Sequence, residues 1–416
     1  MLVAVVMLFV VGAMAALSID VVTLYTARSE AQLAADGAAL AGARVLASSG
    51  MTSKPADATL ATNAEALASK VALQVAQTNE VGGKNPAASD VTVTFSNPGS
   101  GTSGTNPLVT VRVQRTDLPT FFARIWGSKQ LAVAASATAE AYNPSGVNAA
   151  GKSPVAPTCV KPWLLPNIDP SNPPNPIFVT ATGAIAPTAT ALLGWTYNTS
   201  TTPTPMSLLC TGGDCTGPPG PPTAWKYYPG DDATTFPHPT RSLPTCNPAL
   251  TTNYQESIAS CIETPISCNG PANIDTGIDL TRNSETADAV NCLTHATANP
   301  LDADQVDLTA TPSPPPFQFL SGAKNPIASA SGKDVMVSSS LVTVPVFDTA
   351  SFLPPSNTVT IIGFVQLFLN PDGTPTPATG AVNATIINMA GCGTGATGKQ
   401  ILGNGASPVA VRLISP

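Results

Sequence analysis

The apolar positions of this chain follow three rhythms: an unbroken run, a helical stripe and a strand-like alternation. The run comes first. No charged side chain occurs from Met1 to Ile19, and as a helix at ~1.5 Å per residue that stretch spans roughly 28 Å, close to the hydrocarbon thickness of a bilayer. It passes without a breaker into LSIDVVTLYTARSEAQLAADGAALAGARVL, Leu17 to Leu46. From Asp20 to Ser48, the residues Val21, Leu24, Ala27, Ala31, Ala35, Ala38 and Gly42 recur at threes and fours, the spacing of one helix face. The stripe is narrow and small, which suits close packing either against partner helices or on the helix's own domain. Ser48-Ser49-Gly50 stops it. A second helix is predicted with Ser53 as N-cap, Pro55 in its first turn and Leu60, Ala64, Leu67, Val71 and Val75 on its apolar face.

Alternation begins after Gly82. Val91, Val93 and Phe95 interleave with Thr, and Val109, Val111 and Val113 interleave with Thr110, Arg112 and Gln114. Leu131 to Ala139 puts Leu131, Val133, Ala135 and Ala137 on one face. Between the last two runs, DLPTFFARIWG from Asp117 to Gly127 suits a short amphipathic helical turn lying on the sheet. Two helices and an antiparallel meander make an α+β module over 20–143, behind a membrane helix over 1–19. Residues 144–157 read as a linker. From 158 to 416 the chain is Pro-rich and loop-rich, with strand patterns at Leu341–Val346, Val359–Leu369, Ala384–Met389 and Val409–Ile414. Val359–Leu369 is too short to span a bilayer and is expected as a buried strand. The predicted fold class is therefore α+β: a transmembrane helix continuing into an extended helix, a pilin-like helix-plus-antiparallel-sheet module, then a β-rich, disulfide-stapled C-terminal domain.

A cleaved signal peptide competes with the anchor at the N-terminus, because Ala13-Met14-Ala15 has the small-x-small form of a cleavage site. The absence of a basic n-region and the length of the apolar run favour the anchor. A short Lys/Arg-bearing tail upstream of Met1 would account for the missing positive charge.

Composition adds a compartment. Only 10% of the 416 residues are charged, against ~25% in ordinary soluble proteins. Thr, Ser, Asn, Pro and Ala replace them, as on exported surface proteins. The net charge of −7 supplies no basic footprint for nucleic acid. Pro and Gly, at 42 and 32 residues, stay below the level of wholesale disorder. All eight cysteines, Cys159, Cys210, Cys215, Cys246, Cys261, Cys268, Cys292 and Cys392, follow residue 158. An even set confined there fits disulfides formed in an oxidising compartment. Spacing does not select their pairing. The N-terminus is then cytoplasmic and the bulk of the chain lies beyond the membrane.

Catalytic chemistry finds little purchase. Cys292 and His295 share a helical face at i and i+3, but a disulfide is the simpler use of Cys292. No C-x-x-C occurs for zinc. Asp302, Asp304 and Asp307 lack the Gly and distal Glu of an EF-hand, so a solvated acidic turn is the expectation. Asp231-Asp232 reads as a loop, and there is no G-x-S-x-G, phosphate-binding Gly loop or H-E-x-x-H.

The junction segment resembles the N-terminal domain of TadG-like Flp (tight-adherence) pilus-assembly proteins. The resemblance rests on the apolar span, Ile19-Asp20-Val21, Leu24-Tyr25, Ala27-Arg28, and AQLAADGAALAGARVL from Ala31 to Leu46. Asp20, Leu24, Tyr25, Arg28, Ala35, Asp36 and Ala39 carry it. The stretch Val109 to Ala139 also looks like the membrane-distal part of such proteins. Segments such as KPWLLPN at Lys161, NYQESIASC at Asn253, GFVQLFL at Gly363, INMAGCG at Ile387 and SPVAVRL at Ser407 look like extensions of bacterial members. The D-x-S-x-S metal-adhesion motif of some members is missing, as is a prepilin-peptidase site after Gly12. The resemblance implies a non-catalytic, single-pass inner-membrane component of a pilus or secretion apparatus. Its partners would be the membrane and other pilus-assembly or pilin-like proteins, with no cofactor, metal, nucleic acid or small-molecule substrate. A surface adhesin using the Cys-rich domain is the alternative, and an extracytoplasmic thiol or metal hydrolase a distant third.

Overall fold

The computed structural model describes residues 2–96, 106–120, 130–146, 153–169, 172, 175–190, 192–193, 206–209, 224–237, 245–275, 281–307, 319–326, 334–335, 337–351, 357–370, 373–394, 398–403 and 407–415. One uninterrupted helix, α1 (Leu2–Ser48), joins the apolar run to the small-residue stripe. Its first part stands clear of the rest of the protein. Its second part lies with α2 (Ala58–Thr78) on one face of an antiparallel sheet built from β1 (Val91–Ser96), β2 (Leu108–Pro119) and β3 (Gln130–Tyr142). The alternation seen in the sequence is the pleat of this sheet. Val109, Val111 and Val113 are fully buried beneath the helices, while Arg112 is exposed on the opposite face.

The core here is made of alanine. Ala31, Ala34, Ala35, Ala38, Ala39 and Ala43 of α1, with Ala64, Ala68, Ala72 and Ala76 of α2, have no exposed surface. Side chains this small bring the two helices together and both down onto the sheet. A Cβ on Gly42 would stand 3.4 Å from Ala72 Cβ and 3.1 Å from a Val109 methyl. The small stripe of α1 is thus spent inside its own module.

Three expectations change. α2 begins at Ala58, capped by Asp57 accepting from Leu60 N at 3.0 Å. Ser53 is no N-cap, because its hydroxyl is turned away to the C-terminal region. The stretch Asp117–Pro119, expected in a helical turn, is the end of β2; Leu118 pairs with Leu131 across a register shift, and residues 121–129 lie outside the described residues. Finally, the sheet has a fourth strand. The C-terminal strand Ala410–Ser415 runs antiparallel beside β3, opposite Thr138–Tyr142. Within the segment 144–157, Pro144–Gly146 forms a 3-10 turn and Val155–Ala156 pairs parallel with Ile401–Leu402.

The C-terminal region is organised by a mixed sheet. Its strands are β4 (Trp163–Pro166), β5 (Met206–Leu209), β6 (Ala224–Lys226), β7 (Tyr228–Pro229), β8 (Leu341–Phe347), β9 (Thr358–Leu369) and β10 (Val382–Gly391), in the order β6-β5-β10-β9-β8-β4-β7. Pro271–Asn273 adds to β9. The predicted buried strand at Val359–Leu369 is the inner part of β9. Leu341–Val346 departs from its alternating pattern, since every residue of β8 is buried, Thr343 included. Loops and, among the described residues, three α-helices, Pro187–Thr190, Asn253–Ala259 and Thr281–Thr294, accompany the sheet. Trp163, Tyr254, Tyr227 and Thr286 close a buried polar chain: Trp163 Nε1 donates to Tyr254 Oη at 3.1 Å, and both tyrosine hydroxyls meet Thr286 Oγ1 at 3.0 Å. Among the described residues three disulfides staple the region: Cys159–Cys261, Cys246–Cys292 and Cys268–Cys392. Cys210 and Cys215 lie outside the described residues.

A buried polar joint ties the two regions together. The α1–α2 turn presses onto β10, where Met389 N donates to Ser53 Oγ at 2.9 Å and Asn388 Nδ2 donates to Ala47 O. Asn143, at the end of β3, donates to Met389 O at 2.8 Å and to Thr52 Oγ1 at 3.2 Å. Gly50 makes the approach possible. Its φ is +79°, and a Cβ there would lie 2.7 Å from Ile387 O.

Candidate functional site: the apolar rod and its junction

Within α1, the segment starting at Val6 is long and apolar enough to cross a membrane and is almost wholly exposed. Val3, Met7, Leu8, Phe9, Val11 and Met14 are each more than 60% exposed, a contiguous apolar surface that soluble monomers rarely present. Asp20 is the first buried residue among the described side chains of the helix, at 4% exposure. One turn later the exposures divide by face. Leu24 is half-buried against the alanine core, Tyr25 is 70% exposed, and Arg28 points outward.

Ala35 and Ala39 are fully enclosed. Asp36, between them in sequence, is half-buried and accepts from Gln32 Nε2 at 2.7 Å. Glu30 fastens the module to the rod's base by accepting from Gly82 N at 2.7 Å. The same turn is clamped by Arg115, which donates to Val81 O at 2.8 Å and Lys84 O at 3.0 Å and pairs with Asp117 at 2.7 Å. The Arg115 guanidinium holds the Asp117 carboxyl below its ordinary range. The junction residues thus split into packing positions (Leu24, Ala35, Ala39), an outward pair (Tyr25, Arg28) and two acidic positions, Asp20 buried and Asp36 half-buried.

Elsewhere the candidate chemical groups are structurally committed. Cys292 is bonded to Cys246, so it is no free thiol beside His295. His238 lies outside the described residues. Asp304 accepts from Gly322 N, Asn325 Nδ2 and Ser338 Oγ, and Asp302 from Thr297 Oγ1 and Asn299 Nδ2; both hold loops together. Asp231 does the same for Ala233 and Thr234. Among the described residues, no group of three or more His, Cys, Asp or Glu is arranged to hold a metal ion. A cavity of about 400 Å³ opens beside the Cys268–Cys392 staple, lined by Asn167, Thr180, Asn269, Asp348 and Cys392 among others. The Asn167 amide in its wall is taken up by Phe178 and Val179.

Sequence reasoning missed Lys161. It is buried beside the Cys159–Cys261 staple, its ammonium donates to Ser260 O, and burial pulls its pKa down to about 7. A lysine within a KPW segment carries no sequence signal of burial. No curated protein and no solved structure matches the chain. Residues 1–45, the apolar rod together with the junction residues, match the family model of Flp pilus-assembly TadE/G-like proteins, and to these the N-terminal segment is similar.

Proposed function

We propose that this chain is a non-catalytic, single-pass component of a bacterial Flp/Tad-type pilus or secretion apparatus. In this reading residues 1–19 anchor it in the inner membrane with the N-terminus cytoplasmic. Residues 20–143, joined by the C-terminal strand Ala410–Ser415, form a pilin-like module directly above the bilayer, and the rest of 158–416 forms the disulfide-stapled periplasmic or surface-facing part. The observation that carries the reading is the continuity of α1: one helix holds both a bare apolar rod and the alanine stripe of a folded module, and the family match covers both. A helix that leaves lipid without a hinge fixes the module's height and tilt, the property required of a scaffold part.

Two measurements test it. Alkaline carbonate extraction should leave the protein in the membrane pellet, and release into the wash would refute the anchor. Deleting the gene in its native host should abolish surface fibres, with restoration by the full chain and none by a chain lacking residues 2–19; normal fibres without the gene would refute the assembly role.

A further inference from the structure

The sheet of the N-terminal module has two uncovered edges among the described residues, and their directions fit each other. The strand order is β1-β2-β3-C-terminal strand, antiparallel throughout. α1 passes Leu118, at one end of β2, near Ala27, and passes Val109, at the other end, near Gly42. The helix therefore runs along the strands. When α1 stands in a membrane, the strands stand upright too. β1 and β3 then point away from the bilayer, and β2 and the C-terminal strand point towards it.

β1 lacks the usual protections of an edge. Val91-Thr92-Val93-Thr94-Phe95-Ser96 contains no charge and no proline, and its six residues pair with β2 without a bulge. Its inward side chains Val91, Val93 and Phe95 are only half-buried, whereas Val109, Val111 and Val113 beside them are fully buried. At the opposite edge, Leu413 and Ile414 are 39% and 46% exposed.

Membrane polarity restricts which edges can meet as an antiparallel pair. Two β1 strands pair antiparallel about a dyad perpendicular to the sheet, and that dyad would point the two membrane helices in opposite directions. A sideways shift within the membrane plane keeps all helices upright. It brings the outward-pointing β1 of one copy against the membrane-pointing C-terminal strand of the next, which is an antiparallel pair.

We infer that copies of this chain join edge to edge, β1 of one copy pairing antiparallel with Ala410–Ser415 of its neighbour, into an open row with one continuous sheet. Such a contact is heterologous and does not close, so it propagates. The inference rests on the membrane anchoring proposed above. Its register is explicit. Ser96 pairs with Leu108, Leu108 with Glu140, and Glu140 with Arg412, so copies at equal height set Ser96 opposite Arg412 on the same sheet face.

The test uses the full chain in native membranes, with Ser96→Cys, Arg412→Cys and the double variant, treated with a short bismaleimide and separated by mass under denaturing conditions. The double variant should give a ladder of dimers, trimers and higher species. Each single variant should stay monomeric, and co-expressing the two single variants should give dimers and nothing larger. Monomer alone from the double variant, in protein that still resists protease as wild type does, overturns the inference, as do dimers from either single variant. Carbonate extraction of the same membranes separates the two readings: a pellet-retained protein without a ladder defeats edge pairing alone, whereas a released protein defeats the anchor and the polarity argument together.

Discussion

The two halves of this protein bury their cores by opposite means. The module carried by α1 uses alanine against valine, with close helix–sheet contact and no disulfide within it. The C-terminal region buries Trp163, Tyr227, Tyr254, Phe178, Phe236, Phe364 and Phe368 and adds disulfides, three of them among the described residues. Large side chains bury more area per residue, which offsets the ordering of long connections that contribute few backbone ladders. The module gains little area per residue, but most of its residues lie in regular elements. The lesson concerns tolerance: the first core should resist added volume, the second lost volume.

The largest effect is expected at Trp163. Trp163→Ala removes a fully buried ring and leaves the Tyr254 hydroxyl short of a partner, at a cost of about 3–5 kcal/mol. Hydrogen exchange should show protection lost across β4, β8 and β9. Full protection there, with a melting temperature close to wild type, would mean that the aromatic core is not what holds this region.

Next comes Lys161, which sharpens the same contrast by testing a polar flaw in the aromatic core. Its folded pKa, about 7, lies below the ordinary lysine value near 10.4. Between those values the unfolded chain binds a proton that the native state does not, so stability rises as pH is raised from 7 to 10. Below pH 7 both states are protonated and the penalty is fully present, on the order of a few kcal/mol. Lys161→Met should raise the melting temperature at pH 6.5 and lose its advantage by pH 10. A gain independent of pH would place the effect in packing.

Ala38→Leu tests the opposite intolerance. Ala38 has no exposed surface between α1 and the sheet, and the added methylenes should cost about 1–3 kcal/mol by forcing the layers apart. The loss should appear in the module's amides before those of β8 to β10. A neutral result would show that the alanine core can relax, and would weaken the contrast.

How much of this was legible beforehand follows from range. α1 and β1 to β3 were visible because a helical stripe and a period-two alternation are local, and Val359–Leu369 declared itself by continuous apolarity. The fourth strand was visible as Val409–Ile414, yet nothing local says that it joins β3, some 270 residues earlier in the chain. Disulfide partners 46 to 124 residues apart were equally out of reach. The helix start at Ser53 failed for a nameable reason: a good capping residue was claimed by Met389 and Asn388, which no window around residue 53 contains. At the junction, sequence left open which way the alanine stripe faces, and the fold turns it inward onto α2 and the sheet.

The smallest expected effect lies where that misreading occurred. Asp57 caps α2 through Leu60 N, and this backbone hydrogen bond, with Lys54 at 3.1 Å, holds its carboxyl below the ordinary aspartate range. A depressed carboxylate contributes stability above its unfolded pKa and loses it as pH falls through the folded value, so the effect belongs to neutral pH and fades in acid. Asp57→Ala should cost about 1 kcal/mol at pH 7 and much less near pH 2, read as a shift in the module's unfolding midpoint. Ser53→Ala should act elsewhere, loosening the joint with β10 while α2 keeps its protection. If Ser53→Ala instead frays the first turn of α2, the serine is the cap that the sequence suggested, and the joint between the two cores owes less to it than the geometry indicates.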